Sequence, residues 1–364
     1  MMISDKAKQH VDSCRFCWMC HHICPIGNAT GHERSTPRAR ALGISLVNRE
    51  AIDLAEIMDN IYECAGCGAC VRDCKTGWDP VMFTKETRLA AALDGKLPAY
   101  INTMVENCLG VGNAYGKSAT CETLTAAIAA HGSKESTLLF LGTDARLMAC
   151  REGLRAIRVL ERAGVAFTVL ADEPESGAQL DFLIGAAAET KEQMAKAAAA
   201  MNAFDTVVVY DPADAKVIKQ LYREYGVELE ARVVTFTAYL AALVREGRLV
   251  LQHTGRRVVY QDPCQLSRDL EETEEAREVI GALATLDEML LNRAETVWAG
   301  NILMAQYMPD VMKMVAARRI FNAKSIGATV MVTASPAEYT ALKSVEQSDV
   351  EILSLCELIL GEEA

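Results

Sequence analysis

The sequence predicts an α + α/β protein, in which an all-helical N-terminal unit precedes a duplicated α/β unit with parallel sheets. Two observations lead to this prediction. From Pro37 to Asn60, and again from Phe83 to Leu93, apolar residues recur mainly at helical spacing. After Ser136, short apolar runs alternate with amphipathic helical stretches, and the alternation then repeats. Such alternation is typical of parallel sheets covered by helices.

Three segments are predicted along the chain. Residues 1–100 form the helical unit, residues 101–136 form a linker with one short helix, and residues 137–364 form the α/β unit. Its two halves run from about 137 to 245 and from about 256 to 364. The linker prediction rests on Pro98 and several glycines, interrupted by a helical stretch from Glu122 to Ala130. The predicted strands are Leu138–Leu141, Val165–Leu170, Val207–Tyr210, Val258–Tyr260 and Thr329–Thr333.

Composition limits the classes of function. The chain has 364 residues, of which 51% are hydrophobic, so it is long enough to bury two cores. Its net charge of −12 argues against nucleic-acid binding, because contacts with phosphates need a basic surface. The chain shows neither a signal peptide nor 18 unbroken apolar residues. These features predict a cytoplasmic protein whose association with a membrane, if it has one, depends on a partner.

Eight of the thirteen cysteines fall into two copies of one spacing, C-x2-C-x2-C-x3-C. This spacing is typical of bacterial ferredoxins, in which three thiolates bind one iron-sulfur cube and the fourth binds the other cube. The sequence therefore predicts two interlocked 4Fe-4S clusters. The predicted ligands of the first cluster are Cys14, Cys17, Cys20 and Cys74, and those of the second are Cys64, Cys67, Cys70 and Cys24.

These residues also have other interpretations. Structural zinc prefers paired cysteines and disulfides need an oxidising compartment, but neither requires three evenly spaced cysteines twice. His21 and His22 could ligate iron, although four thiolates already complete each set. Arg15, Arg72 and Lys75 stand beside predicted ligands, where positive charge raises the reduction potential of a cluster. Solvated surface charges are an equal alternative for these three.

The arrangement of the chain resembles a known family. Helices rather than short strands join the two cysteine runs, so residues 1–100 resemble the helical ferredoxin domain of fumarate reductase iron-sulfur subunits. With the α/β unit, the chain resembles proteins that combine such a domain with a duplicated cysteine-rich "CCG" region. Members include the D-type subunit of heterodisulfide reductase and the iron-sulfur subunits of anaerobic glycerol-3-phosphate dehydrogenase and of glycolate and lactate oxidation. The strongest local signature is the sequence from Tyr260 to Cys264, close to Y-x-D-P-C in that family.

In that family each half carries a single cysteine, a CCG triplet and a C-x-x-C pair, which bind a further cluster. This sequence keeps the spacing but has lost most of the thiols. In the first half the three positions fall on Thr143, on Glu175-Ser176-Gly177 and on Asp211-Pro212-Ala213-Asp214. In the second half they fall on Cys264, on Trp298-Ala299-Gly300 and on Ser335-Pro336-Ala337-Glu338. The resemblance therefore implies a CCG-type fold kept without its third cluster.

Four carboxylates replace cysteines or flank them. Glu175, Asp211, Asp214 and Glu338 could supply oxygen ligands to a hard cation. Nothing in the sequence shows that they converge, so solvated surface carboxylates are the favoured interpretation.

Cysteines outside the two runs carry weaker predictions. Cys264 is a candidate reactive thiol, weighed against an inert buried thiol. Cys108 and Cys121 lack motif spacing and are interpreted as ordinary thiols. Cys356 lies in an apolar stretch and is predicted to belong to the core.

The sequence shows no G-x-G-x-x-G after a predicted strand and no catalytic constellation, so nucleotide binding and catalysis are not predicted. We expect a non-catalytic electron-transfer subunit of an oxidoreductase, working in a hetero-oligomer. The resemblance implies that it relays electrons between a flavin-containing dehydrogenase or an electron-transferring flavoprotein and an acceptor such as quinone or ferredoxin. Two alternatives stay open: a heterodisulfide or thiol reductase with its chemistry in the C-terminal unit, and a non-redox scaffold with structural clusters.

Overall fold

The computed structural model describes residues 3–345 and 349–361. Its N-terminal part contains only helices, in agreement with the sequence prediction. Two of the longer helices begin with proline at the first turn, where its missing N–H costs nothing: Pro37 and Pro80. The α-helices of this part are Asp5–Asp12, Met19–Ile23, Pro25–Thr30, Pro37–Asn48, Met58–Tyr62, Ala69–Asp73, Pro80–Leu93 and Ala99–Val111.

The last of these helices lies in the predicted linker. Helix Ala99–Val111 buries Ile101, Met104 and Cys108 against the core of the helical unit. Pro98 caps its N-terminus, and Gly112 ends it with a φ of 80°. The proline and glycine that suggested a loop are therefore the boundary residues of a helix. Of the predicted linker, Glu122–Ala130 is helical as expected.

The first half of the α/β unit has a parallel sheet of three strands, β1 (Thr137–Phe140), β2 (Thr206–Val209) and β3 (Arg232–Thr235), in that order. The predicted strand from Val165 to Leu170 is reduced to a single bridge, in which Thr168 pairs with Leu138 on the outer side of β1.

The second half repeats this arrangement with four parallel strands in the order β5-β4-β6-β7. They are β4 (Arg257–Gln261), β5 (Thr285–Asp287), β6 (Val330–Thr333) and β7 (Glu351–Ser354). In the first half, β1 pairs with Thr168 on one side and with β2 on the other. In the second half, β4 pairs in the same way with β5 and β6. The prediction of two similar halves is therefore confirmed. Strands β3, β5 and β7 are not among the predicted strands; each lies at a sheet edge and is partly exposed, so its apolar signal is weak.

Helices cover both sheets. Among the described residues, no helix is long and apolar enough to cross a membrane. The α-helices of this part are Cys150–Arg162, Ala178–Ile184, Ala188–Met201, Pro212–Lys216, Tyr222–Glu224, Phe236–Arg245, Glu275–Leu283, Ile302–Ala305, Pro309–Lys324, Pro336–Lys343 and Leu355–Leu360. Three π-helical turns occur at Asp144–Met148, Val217–Leu221 and Gln265–Asp269.

The helical unit and the α/β unit share one apolar core. Helix Ala178–Ile184, which comes from the first half of the α/β unit, buries Leu180 and Leu183 in the core of the helical unit. The Tyr62 hydroxyl donates a hydrogen bond to the Leu183 carbonyl (2.5 Å), and the Arg88 guanidinium donates one to the Phe182 carbonyl (2.8 Å). Apolar burial and buried hydrogen bonds therefore both join the two units.

Candidate iron-sulfur centre

The two cysteine runs form two turns of the same shape, each followed by a short helix, Met19–Ile23 and Ala69–Asp73. These two helices pack against each other. In each run the first three cysteines lie in the turn and the start of the helix, and the fourth caps the end of the helix. The fourth cysteine of each run is thereby placed toward the other turn.

Two cavities result, and each is lined by four cysteines. The first is lined by Cys14, Cys17, Cys20 and Cys74. The second is lined by Cys24, Cys64, Cys67 and Cys70. These are the same two interlocked sets that the spacing predicts, each with three residues from one run and one from the other.

The two cavities differ in exposure. At the first cavity Cys17 is exposed, and Cys14 and Cys74 are half-buried. At the second, Cys24, Cys64 and Cys70 are all buried. The Arg268 guanidinium, from the second half of the α/β unit, donates a hydrogen bond to the Cys67 carbonyl and so holds the second turn. The first set therefore faces the surface, and the second lies beneath the α/β unit.

Arg40 tests whether the second cavity suits an anionic cluster. Its side chain is buried, and its Nε has no hydrogen-bond partner among the described residues. Burial by itself would lower the pKa of Arg40. The nearby Cys64, Cys24 and Cys70 raise it by more than burial lowers it, so the net change is an increase. A buried guanidinium needs a compensating negative charge, and a cluster bound by four thiolates would supply one. The residues present therefore fit a 4Fe-4S cluster at this place.

Backbone N–H groups also point at the sulfurs. The N–H of Phe16 donates to the Cys14 Sγ (3.4 Å), and the N–H of Gly66 donates to the Cys64 Sγ (3.4 Å). Such bonds stabilise thiolates and are among the features that set cluster potentials. Without metal the Cys20 thiol would stay protonated, because burial, followed by the neighbouring sulfurs, raises its pKa to about 12. Metal ligation requires the deprotonated form, so binding a cluster would release protons.

Within residues 3–345 and 349–361, no three Cys, His, Asp or Glu side chains converge as they would on one metal ion. A cube differs from a single ion because each thiolate binds its own iron, so the sulfurs surround a cavity. The predicted accessory residues lie outside the cavities or at their rims. His21 Nε2 is 3.1 Å from the Glu33 carboxylate, and Arg72 Nε is 2.9 Å from the Glu295 carboxylate.

The positions at which the resemblance would place cysteines also correspond in the two halves. Thr143 and Cys264 each immediately precede a π-helical turn that follows the first strand of its half, β1 or β4. Asp211 and Ser335 each cap a helix that begins with proline. Each of these helices follows a strand, β2 or β6, that pairs with the first strand of its half. The corresponding positions therefore have equivalent backbone environments in the two halves.

The glycine of each CCG triplet is also retained for a physical reason. Gly177 has a φ of 93° and Gly300 a φ of 109°, a region that residues with a side chain rarely adopt. A Cβ on Gly177 would lie 2.4 Å from Met194 Cγ, and one on Gly300 would lie 2.9 Å from Ala341 Cβ. Both turns therefore require glycine whether or not a metal is bound.

Comparison with known proteins agrees with this geometry. Residues 10–78 match the family described as 4Fe-4S dicluster domain. Over 360 positions the chain is 23% identical to the D-type subunit of the dihydromethanophenazine:CoB–CoM heterodisulfide reductase of Methanosarcina acetivorans, covering 90% of this chain and 87% of that protein. This chain is an iron-sulfur protein related to that heterodisulfide reductase subunit.

A solved structure supports the fold alone. The crystal structure of a hypothetical protein from Helicobacter pylori superposes with a TM-score of 0.53 at 10% identity, covering all of this chain and 73% of that one. The resemblance to heterodisulfide reductase that the sequence suggested is confirmed by the two sequence comparisons, not by this structure.

In this relative of heterodisulfide reductase, the second-half site is filled. Trp298, at the first position of the predicted triplet, is only 2% exposed and packs with Cys264 and Met304. The Glu338 carboxylate accepts hydrogen bonds from Gln261 Nε2 (3.1 Å) and from the Ala299 N–H (3.3 Å). Protein side chains therefore fill the space around Cys264 and Glu338.

The first-half site instead lines an open cavity. Thr143, Asp211 and Asp214 line it, together with Ala65 and Gly66 of the second cysteine turn. Asp214 Oδ1 accepts a hydrogen bond from the Ser176 hydroxyl at 2.6 Å. The cavity therefore connects the second cysteine turn with the former thiol positions of the first half.

The interpretation of the four carboxylates as solvated surface groups is wrong, because all four are buried: Glu175 (5% exposed), Asp211 (2%), Asp214 (7%) and Glu338 (2%). Burial raises the pKa of Glu175 to about 7, and burial with Asp144 raises that of Asp211 to about 7. Burial raises the pKa of Glu338 to about 8. The parallel strands bring the first three together through contacts distant in sequence, whereas Glu338 lies in the other half.

The remaining cysteines have distinct environments. Cys264 is 1% exposed, and its Sγ donates to Gln265 Oε1 (3.4 Å); burial raises its pKa well above the usual range. Cys121 forms a disulfide with Cys150, so its interpretation as an ordinary thiol is wrong. The pairing joins residues 29 apart without a motif, which no local spacing could reveal. Cys108 is a buried free thiol, and Cys356 lies in the core as predicted.

Proposed function

We propose that this chain is an electron-transfer subunit of an oxidoreductase complex, with two 4Fe-4S clusters as its cofactors. Cys14, Cys17, Cys20 and Cys74 would bind the first cluster, and Cys64, Cys67, Cys70 and Cys24 would bind the second. The observation that carries the proposal is the division of these eight cysteines into two adjacent quartets, one facing the surface and the other beneath the α/β unit.

The clusters supply reversible one-electron chemistry, and the chain supplies their position. The packed helices Met19–Ile23 and Ala69–Asp73 hold the two quartets side by side. Arg40 would favour the more negative, reduced state of the second cluster. Electrons would pass between a flavin-containing dehydrogenase or an electron-transferring flavoprotein and an acceptor such as quinone or ferredoxin. The chain would act in the cytoplasm within a hetero-oligomer, with any contact with the membrane made by a partner.

Metal analysis after anaerobic purification tests this proposal. We expect about eight irons and eight labile sulfides per chain, with both clusters reversibly reduced in a redox titration followed by electron paramagnetic resonance. Anaerobic co-purification from the native host should recover a flavoprotein. A chain that holds zinc instead of iron, or clusters that cannot be reversibly reduced, would contradict the proposal; the second result would favour a structural scaffold.

A specific observation favours a second candidate, a thiol or heterodisulfide reductase. The first-half cavity borders the second cysteine turn at Ala65 and Gly66, and the related protein is part of a CoB–CoM heterodisulfide reductase. The presence of Thr143, Asp211 and Asp214 in place of cysteines counts against it, since thiolates are needed to bind a further cluster. Reduced protein mixed with the CoB–CoM heterodisulfide should release no thiols above the rate without protein. Catalytic thiol release, with iron well above eight per chain, would establish this second function instead.

A further inference from the structure

The two cysteine turns share one backbone shape but differ in side chains. In the second turn the positions before and after Cys67 are Gly66 and Gly68, with φ values of 65° and 71°. In the first turn the equivalent positions hold Phe16 and Trp18, with φ values of 57° and 64°. Bulky residues rarely adopt this left-handed region, where glycine is the usual choice. The first turn therefore has aromatic residues at the two positions where the second turn has glycine.

The surroundings of the second turn restrict one of its two glycines, Gly68, whereas a Cβ on Gly66 would meet no atom within 4 Å. A Cβ on Gly68 would lie 3.3 Å from Cδ of Arg268, the residue that holds the second turn from the α/β unit. The α/β unit of the same chain therefore contacts this turn directly and leaves little room for a side chain at residue 68.

The first turn has no such cover within residues 3–345 and 349–361. Phe16 is 61% exposed, Trp18 45% and Met19 42%, and all three line the cavity of the first cysteine set. Large apolar side chains grouped on a surface are typical of interaction sites, particularly when polar residues surround them. The equivalent surface of the second turn is an interface within the chain, so we expect an interface at the first turn as well.

Three cations border these side chains. The Arg38 guanidinium lies 4.2 Å from the centre of the Phe16 ring and 4.7 Å from that of Trp18. Arg15 and Lys75 are exposed at the same cavity. In the described part of the chain, no carboxylate lies within ion-pair distance of these three cations. A basic rim on a chain of net charge −12 is complementary to an acidic partner surface.

We propose that Phe16, Trp18 and Met19, with the rim formed by Arg15, Arg38 and Lys75, dock a redox protein that presents an apolar contact surface bordered by acidic residues. This first-turn surface is where electrons enter or leave the first cluster. The inference rests on the proposed function, because it assigns a partner to one of the two clusters. In each productive encounter one electron passes between the first cluster and the redox centre of the partner, and no bond forms or breaks.

The chain provides its own control variant for the aromatic residues. The double variant Phe16→Gly with Trp18→Gly copies the second turn, which closes around its cysteines with glycine, so the fold and both clusters should be retained. Stopped-flow mixing of the dithionite-reduced protein with oxidised plastocyanin, an acidic blue-copper protein, measures electron transfer to a partner of the stated chemistry. We expect the second-order rate constant to fall about tenfold, with unchanged iron content and unchanged reduction of methyl viologen, which needs no docking surface.

Charge reversal tests the basic rim. The triple variant Arg15→Glu, Arg38→Glu and Lys75→Glu should slow reduction of plastocyanin at least fivefold and accelerate reduction of mitochondrial cytochrome c, a basic haem protein. The matched control reverses three exposed cations elsewhere, Lys134→Glu, Arg232→Glu and Lys313→Glu, with the same change of net charge. At about 0.15 M salt the Debye length is about 8 Å, so distant charges are screened and the control should change either rate less than twofold.

The outcomes separate this inference from the proposed function. Wild-type protein without iron would contradict the proposed function itself. Intact clusters with unchanged rates in the glycine variant, or equal effects of the two triple variants, would overturn only the docking surface. Loss of the first cluster in the glycine variant would also overturn it, because the aromatic residues would then protect the cluster rather than bind a partner.

Discussion

The Arg268 guanidinium donates a hydrogen bond to the backbone carbonyl of Cys67 and so joins the second half of the α/β unit to the second cysteine turn. The same guanidinium donates to the carbonyls of Ala294 (2.9 Å) and Thr296. One cation therefore satisfies three carbonyls from two parts of the chain, and it covers the turn that is predicted to bind the second cluster.

Arg268→Ala should destabilise this contact, because it leaves three partly buried carbonyls without this donor. We expect the free energy of unfolding to fall by about 2–3 kcal/mol and the second cluster to lose iron faster to a chelator. Arg72→Ala is the matched control, since Arg72 joins the same turn to Glu295 through an exposed ion pair of 2.9 Å. Exposed pairs contribute about 0–1 kcal/mol, so its effect should be small. Equal effects of the two variants in chemical denaturation would contradict the role of Arg268.

The ligand sets predict which cysteines control iron content. Cys67→Ser should remove the second cluster and abolish electron transfer through the chain, lowering the iron content from about eight to about four per chain. Cys264→Ser should leave both clusters intact, because Cys264 lies beside the second set without lining its cavity. Iron and sulfide analysis with electron paramagnetic resonance distinguishes the variants. Unchanged spectra in Cys67→Ser would refute the ligand assignment.

Arg40 should raise the potential of the second cluster. Its buried positive charge favours the reduced cluster, so Arg40→Met should lower the reduction potential by about 60 mV or more, a tenfold change in the equilibrium for a one-electron couple. A redox titration resolves the two clusters by their spectra. The first cluster, whose set does not include the cysteines around Arg40, should keep its potential. A shift confined to the first cluster would show that the two sets are misassigned.

The buried carboxylates of the first half should make stability depend on pH. The pKa of Asp211 rises from its usual 3.8 to about 7, mainly because of burial. Between about pH 4 and pH 7 the folded state keeps this proton while the unfolded state releases it, so stability falls as the pH rises through this range. Asp211→Asn cannot ionise but can still accept the hydrogen bond from the Ala213 N–H. Its advantage in melting temperature over the wild type should grow from pH 5 to pH 8; a constant difference would contradict the raised pKa.

The disulfide between Cys121 and Cys150 should stabilise the chain by restricting the unfolded state. It closes a loop across 29 positions, for which chain entropy predicts about 3–4 kcal/mol. The double variant Cys121→Ser with Cys150→Ser should lose this amount in chemical denaturation under non-reducing conditions. With dithiothreitol, wild type and variant should unfold alike. A difference that persists in the reductant would assign the effect to packing of the serines instead.

Local patterns predicted what depends on local geometry. The spacing of the two cysteine runs predicted the two quartets, because in this ferredoxin-type spacing three cysteines of one turn bind one cube and the fourth binds the other. Strand β2 was predicted from its buried apolar run, whereas β3 and β5 lie at sheet edges and show little apolar signal. The burial of Asp214 beside Glu175 arises from contacts between segments far apart in sequence, which single-sequence patterns do not reveal.

The position of helix Ala178–Ile184 limits how this protein can be divided. Leu180 and Leu183 complete the interior of the helical unit, yet they belong to the α/β unit and lie about 80 residues beyond residue 100. A chain that ends at residue 136 would expose the apolar surface beside Tyr62 and Phe83. We therefore expect it to aggregate rather than to fold as a small ferredoxin. Recombination that exchanges the two parts would break the same interior unless helix Ala178–Ile184 were carried over with the helical unit.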